Sequence, residues 1–234
     1  PSDLLYQILA LLFSTAEAEL VAALPIKPFT AELAARNWKV SVVEAEKILQ
    51  RLAGRALLVD IRGKDKTEYV MPPPMAGFFE FALMRTRGDI DQKLLSELYE
   101  QYISVEDDFI RKLFLTGNTQ LGRVFVLEDS VSSEHALHVL DYERATQVIE
   151  TADEIGVGLC YCRHKRAHQG KACDAEMDIC MTFNTVAASL IRSEYARRVD
   201  RHECKELLHK AWEQNLVQFG ENVQNGVNFI CNCC

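Results

Sequence analysis

No cysteine stands in the first 159 residues of this 234-residue chain, yet eight stand between Cys160 and Cys234. No proline follows Pro74, and no apolar run approaches the ~20 residues that a membrane span requires. Excess positive charge is missing too: the net charge is −8, which argues against a general binder of nucleic acid or anionic membrane. There is no G-x-x-x-x-G-K phosphate loop, no G-x-G-x-x-G fingerprint (Gly156-Val-Gly158 is too short) and no nucleophile paired with a base, so no catalytic residue is named. The opening Pro1-Ser2-Asp3-Leu4-Leu5 is not a basic-then-apolar leader, and the expected location is cytoplasmic. Repeats and low-complexity segments are also missing. What remains, with 48% hydrophobic and 26% charged residues, is an ordinary globular composition long enough for two small domains or for one with an appendage.

The organising stretch is Leu159 to Met181. It carries Cys160 and Cys162 as C-x-C, then Cys173 after ten residues and Cys180 after six more. Before it, Ile155, Val157, Leu159 and Tyr161 alternate with Gly156, Gly158, Cys160 and Cys162, a period of two that predicts a strand with both thiols on one face. Glycines on that face leave room for something bulky. Asp174 and Asp178 are expected N-caps, which would place Cys180 in the first turn of a helix running on through Ile191. Arg163, Lys165, Arg166 and Lys171 make the intervening loop basic, either to offset a negatively charged thiolate centre or simply as a solvated loop.

Three explanations compete for the thiols. A disulfide framework requires an oxidising compartment. Structural zinc usually takes pairs spaced C-x₂₋₄-C, wider than C-x-C, although His164 and His168 could complete such a site. Iron–sulfur ligation tolerates irregular spacing, because the cluster is larger than a single ion. Cys204 falls on the apolar side of a helix with Leu207, Leu208, Ala211 and Trp212, and reads as a buried structural thiol. That helix is expected from Asp200 and Glu203 to Leu216. Cys231, Cys233 and Cys234 close the sequence, either as further ligands or as incidental thiols of a frayed tail.

The first 71 residues read as a winged-helix-like module. Leu4, Leu5, Ile8, Leu9, Leu12 and Phe13 give a helix and Ala16 to Leu24 a second. Thr30 caps a helix to Trp38, Ser41 with Glu44 opens another from Val42 to Gly54, and a hairpin of 56–61 and 68–71 follows. Nine Lys and Arg against nine Asp and Glu leave this module neutral, and the helix that would read a groove begins Val42-Val43-Glu44-Ala45-Glu46, so DNA binding is not expected. Pro72-Pro73-Pro74 is the clearest linker. Residues 72–154 are expected to form a helical scaffold, with helices over Met75–Met84 and Leu94–Ile103, a core stripe of Phe78, Phe79 and Phe81, a strand over Arg123–Leu127 and a helix over Asp141–Glu154. Residues 155–234 form the cysteine-rich domain. The expected class is mainly α with small β elements, that is, α+β.

Tyr142-Glu143, Cys160-Tyr161-Cys162-Arg163, the spaced Cys173 and Cys180, and Phe229-Ile230-Cys231-Asn232-Cys233-Cys234 together resemble the 4Fe-4S ferredoxin-type iron–sulfur proteins of anaerobic bacteria and archaea. A Met-Pro-Pro-Pro segment followed by Gly-Phe-Phe-Glu-Phe is a further similarity, so the resemblance covers most of the chain. It implies electron transfer beside a larger oxidoreductase or other redox partner, and a continuation beyond Cys234 into more cysteines and a ferredoxin module. On this reading Cys160, Cys162, Cys173 and Cys180 hold one [4Fe-4S] cluster, and Cys231, Cys233 and Cys234 contribute to a second site. Two other readings stay open: a cluster- or metal-responsive winged-helix regulator, and a zinc-stabilised interaction module. Self-association is also left open.

Overall fold

Apolar residues at helical spacing open the chain. Leu4, Ile8 and Leu12 lie on one side of α1 (Asp3–Leu12), and all three are buried. This computed structural model describes residues 3–73, 77–105 and 117–234. α2 (Thr15–Ala22) starts at Ser14, whose hydroxyl accepts the Glu17 N–H while the Glu17 carboxylate accepts the Ser14 N–H, a reciprocal cap. The two helices meet at 104°, and no single helix among the described residues is long and apolar enough to cross a membrane. Next come β1 (Phe29–Thr30), α3 (Ala31–Trp38), α4 (Val42–Gly54), β2 (Val59–Arg62) and β3 (Thr67–Val70). The strands form an antiparallel sheet in the order β1-β3-β2. Ser41 caps α4 as expected, its Oγ accepting the Glu44 N–H at 3.2 Å, whereas Thr30 makes no such bond to α3.

The expected helix over Met75–Met84 is reduced to a single α turn, α5 (Phe79–Phe81); Met75 and Ala76 lie outside the described residues. Its aromatics pack as core. The Phe78 and Phe79 rings meet edge to face at 4.9 Å, and both join the Leu4, Ile8, Leu12, Leu49 and Leu52 cluster. α6 (Gln92–Glu100) follows, capped by Asp91, and adds Leu95, Leu98 and Tyr99 to the same core.

The second sheet has six antiparallel strands in the order β4-β8-β9-β6-β5-β7. Along the chain it runs β4 (Gly122–Val124), α7 (Ala145–Thr151), β5 (Ile155–Leu159), α8 (Tyr161–Ala167), β6 (Asp178–Phe183), α9 (Asn184–Arg192), β7 (Arg197–Arg198), α10 (Arg201–Glu213), β8 (Val217–Glu221) and β9 (Phe229–Cys233). The strand expected over Arg123–Leu127 is thus shorter and shifted, and the helix expected over Asp141–Glu154 divides into a 3₁₀ turn at Asp141–Glu143 and α7.

One face of this sheet carries Ile155, Val157, Ile179, Met181, Phe183 and Ile230 against Leu207, Leu208, Ala211 and Trp212 of α10. On the other, Cys180, Leu190, Tyr195 and Ala196 pack with Ala56, Val59, Phe81 and Met84, which joins the two sheets into one body. A polar clasp reinforces that junction. Asp60 of β2 accepts hydrogen bonds from Ser189 Oγ at 2.6 Å and Arg192 Nε at 2.9 Å, both on α9.

Candidate metal centre

The strand that leads into the first two cysteines ends earlier than its alternation predicts. Pairing of β5 with β6 shifts register between Gly158 and Leu159, and the Cys160 N–H is donated to Met177 O at 2.7 Å. The chain then turns into α8 with Cys160 at its N-cap, so Cys160 and Cys162 belong to one helical turn and do not share a strand face. The space beside the glycines is filled by protein. A Cβ on Gly158 would stand 2.6 Å from Tyr195 O and 3.1 Å from Met84 Cε, and one on Gly156 3.0 Å from Thr182 Oγ1. These glycines let chains approach closely rather than making room for a bulky group.

Cys180 is likewise not in a helix. It lies inside β6, where Ile179, Met181 and Phe183 face α10 and Cys180 faces the opposite way. Asp178, expected as a cap, instead pairs with Arg197 at 3.0 Å. The following helix starts six residues after Asp178, at Asn184, whose φ of 54° is the left-handed turn between strand and helix. β9 obeys the same period of two. Ile230 and Asn232 are buried on the α10 side, so Cys231 and Cys233 emerge on the face of Cys180. Met181 pairs with Ile230, which brings the next residues outward, Cys180 and Cys231, side by side; Cys231 is hydrogen-bonded to both Cys180 and Cys233.

The two cysteine groups of the sequence therefore interleave. All eight cysteines are free thiols, and Cys160 neighbours Cys162, Cys180 neighbours Cys231, and Cys173 neighbours Cys234. Between them lies Arg163, 2% exposed. Its Nε donates to Cys173 Sγ at 3.2 Å, Nη1 to Glu176 O at 3.1 Å and Nη2 to Asn232 O at 2.8 Å. Among the described residues no carboxylate pairs with it. The other basic residues point elsewhere. Lys165 and Arg166 both bind Glu100, at 2.7 and 3.0 Å, and Lys171 is exposed. His164 Nδ1 bonds Leu83 O at 2.7 Å and its ring packs on that of His168 with centroids 4.8 Å apart, whereas the buried Nε2 of His168 has no hydrogen-bond partner among the described residues. No group of three or more His, Cys, Asp or Glu among the described residues converges closely enough to hold a single metal ion.

Charge is distributed unevenly over these thiols. The Cys162 thiol bonded to Cys160 lowers the Cys160 pKa to about 6 against the opposing effect of burial, with help from the Arg163 amide and guanidinium. Cys162 is correspondingly raised, chiefly by that bond. Cys173 is held down by the Ala175 amide, Arg163 and Cys234, and Cys234 is raised by Cys173. Cys231 is raised by Cys180. Cys204 differs altogether: buried in the α10 core, it is pushed up to about 12 by burial, as expected of a structural thiol.

A polar chain that the sequence reading missed fixes β9. Trp212 Nε1 donates to Gln218 Oε1 at 2.7 Å, Gln218 Nε2 to Asn232 Oδ1 at 3.0 Å, and Asn232 Nδ2 to Ile179 O at 2.8 Å. Buried polar groups in such a chain specify one register. The available signal was an asparagine between two cysteines on an alternating strand. Two clefts, of about 550 and 260 Å³, are lined by residues such as Tyr142, Gln147 and Asn225, and by Asp60, Arg62 and Arg192; neither is lined by a thiol. Compared with known proteins, the chain matches no family model, no curated protein and no solved structure.

Proposed function

We propose that this chain is an iron–sulfur electron-transfer protein or subunit, built to hold a thiolate-ligated [4Fe-4S] centre where β6, β9 and the start of α8 meet. The observation that carries the reading is Arg163. A buried guanidinium without a carboxylate costs several kcal/mol unless an anion compensates it, and the groups around this one are thiols. Cys160, Cys162, Cys180, Cys231 and Cys233 offer an inner donor set on one side of the sheet, and Cys173 and Cys234 an outer one. The donor set fits a polynuclear cluster better than zinc, because a cluster takes its thiolates farther apart than the tight convergence of a single ion. Bound there, such a cluster supplies one-electron transfer. The chain's own residues set its surroundings: Arg163 adds positive charge on one side, Tyr161 and Met84 wall the other with apolar surface, and the Trp212–Gln218–Asn232 chain fixes the β9 thiols. The positive charge favours the more negative reduced state and raises the potential, whereas apolar walling disfavours that state and lowers it.

The first sheet with α1 to α4 has the element order of a winged helix, and we read it as a docking or structural module. Arg62 and Lys66 of its hairpin pair with Asp60 and Glu68, which neutralises two of the hairpin's three cations. Protein purified and reconstituted with iron and sulfide without oxygen is expected to be brown and to give a spin-half resonance on one-electron reduction. A colourless protein that takes up one zinc and gains stability would favour the zinc module, and sequence-specific nanomolar DNA binding at physiological salt would favour the regulator.

A further inference from the structure

The thiols gather where β5 ends and β6 begins, and the opposite ends of β5, β6 and β9 frame a cleft of about 550 Å³. Asp153 precedes β5, Asn184 follows β6 and Val227 precedes β9, and all three line it. Asn184 is the floor. Its Oδ1 accepts the Asp153 N–H at 3.0 Å, its Nδ2 donates to Val227 O at 3.2 Å and its own N–H donates to Glu154 O at 2.8 Å, so one residue ties two walls together. It does so at a φ of 54°, a left-handed conformation that asparagine tolerates better than most residues. The walls are also fixed from outside. Glu221 Oε2 accepts the Asn228 N–H at 2.7 Å and closes the 222–228 turn, and Glu128 Oε1 accepts the Thr146 N–H at 3.0 Å at the start of α7.

This rigid frame presents polar groups that the chain itself leaves unpaired. The Tyr142 hydroxyl, the Gln147, Gln224 and Asn225 amides and the Asp141 and Asp153 carboxylates have no hydrogen-bond or ion-pair partner among the described residues. No Lys or Arg among the described residues lines the cleft, and its two carboxylates repel anions such as phosphates and nucleotides. Its aliphatic lining is limited to Val148 and Val227, too little for a hydrophobic ligand. A peptide would add itself to a free strand edge, whereas the cleft lies at strand ends. Carboxamides and carboxylates each offer two hydrogen-bonding atoms in one plane, a pattern that a pair of neighbouring hydroxyls satisfies. Tyr142, with the Arg123 guanidinium 5.3 Å from its ring centroid, adds aromatic surface suited to the C–H face of a sugar ring. We propose that the cleft binds a neutral polyhydroxylated ligand, a monosaccharide or short oligosaccharide, with Tyr142, Gln147 and Asn225 as principal contacts.

The cleft shares no residue with the thiol site, so the inference goes beyond the electron-transfer reading and is tested separately from it. Glucose, galactose, mannose, N-acetylglucosamine, maltose and cellobiose are each titrated into the full chain and followed by saturation-transfer NMR. Glucuronate and calcium chloride serve as charged controls, and iron is measured on the same samples. The expected result is saturable binding of at least one neutral sugar with a millimolar or tighter dissociation constant. Gln147→Ala and Asn225→Ala are each expected to weaken it about tenfold, the effect of losing one hydrogen bond to a ligand. Neither side chain has a partner in the chain, so both variants are expected to keep the parent's urea midpoint and iron content. A chain that holds no iron but still binds sugar through these residues would contradict the electron-transfer reading alone and support the cleft. The proposal would be overturned by no saturable binding of any neutral sugar, or by binding that both variants leave untouched. Tighter binding of glucuronate than of the neutral sugars, or calcium held by Asp141 and Asp153 in their place, would overturn it equally.

Discussion

The two faces of the six-stranded sheet use the same alternation for opposite ends. Toward α10, every second residue of β5, β6 and β9 is apolar or, in Asn232, fully hydrogen-bonded, and the one cysteine there, Cys204, is sealed in and raised to about 12. On the reverse face the alternate positions are Gly156 and Gly158, Cys180 and Thr182, Cys231 and Cys233, with Cys160 entering from the next turn at about 6. A side chain's chemistry here is decided by which face receives it: burial in apolar surroundings suppresses ionisation of one thiol, while neighbouring thiols and Arg163 promote it in another.

The largest expected effect is at the cation that separates the two kinds of environment. Arg163→Ala is expected to destabilise the reduced chain by about 3 kcal/mol in urea unfolding, because it strands Glu176 O and Asn232 O and leaves charged thiols unpaired. A variant as stable as the parent would mean that the thiols beside Arg163 are neutral and that its charge is idle.

Next in size is the clasp between the sheets. Burial acts to raise the pKa of Asp60, but Arg192 and Ser189 outweigh it and hold the carboxyl below its ordinary value. Its folded pKa is thus depressed, so the stability it contributes is complete above about pH 4 and is lost as the pH falls from there toward the folded pKa. Asp60→Asn is expected to cost about 1–3 kcal/mol at pH 7 and to flatten this acid limb, checked by urea melts between pH 3 and 7. An unchanged acid limb would assign the pH dependence to other carboxylates.

The smallest effect belongs to the sealed face. Cys204→Ala removes one buried sulfur from contact with Leu208 and Trp212, and is expected to cost about 1 kcal/mol with full iron uptake. Reduced iron would mean that the two faces are not independent.

These same contrasts explain what the sequence could and could not reveal. Short-range signals were legible: Ser41 caps α4, Asp200 Oδ1 accepts the Glu203 N–H at the start of α10, and the spacing of Cys204 with Leu207, Leu208, Ala211 and Trp212 marks one buried side. The residues 178–183 were misread because Asp178 resembles a cap and Asn184 to Arg192 do form a helix; the competing alternation of Ile179, Met181 and Phe183 won, since both neighbours of β6 in the sheet demand a strand. The C-x-C was placed on a strand because alternation continues through Tyr161, whereas tertiary contacts stop β5 at Leu159: Met84 O takes the Leu159 N–H and Met177 O that of Cys160. Cys180 beside Cys231 and Arg163 against Asn232 were not legible at all. Each joins residues about 50 and 70 positions apart, and only strand order and register bring them together.

The central claim is that thiols from both cysteine segments serve one inorganic site, and the ligand content of C231S tests it most directly. Iron, acid-labile sulfide and the ~400 nm absorbance expected of a cubane would be measured on the parent chain, C180S and C231S, reconstituted side by side without oxygen. The account predicts that the parent chain takes up iron and sulfide in equal amounts and that both variants lose most of each, although 51 residues separate the two positions. Full iron and sulfide in C231S together with loss in C180S would contradict it and return the ligands to the first four cysteines alone.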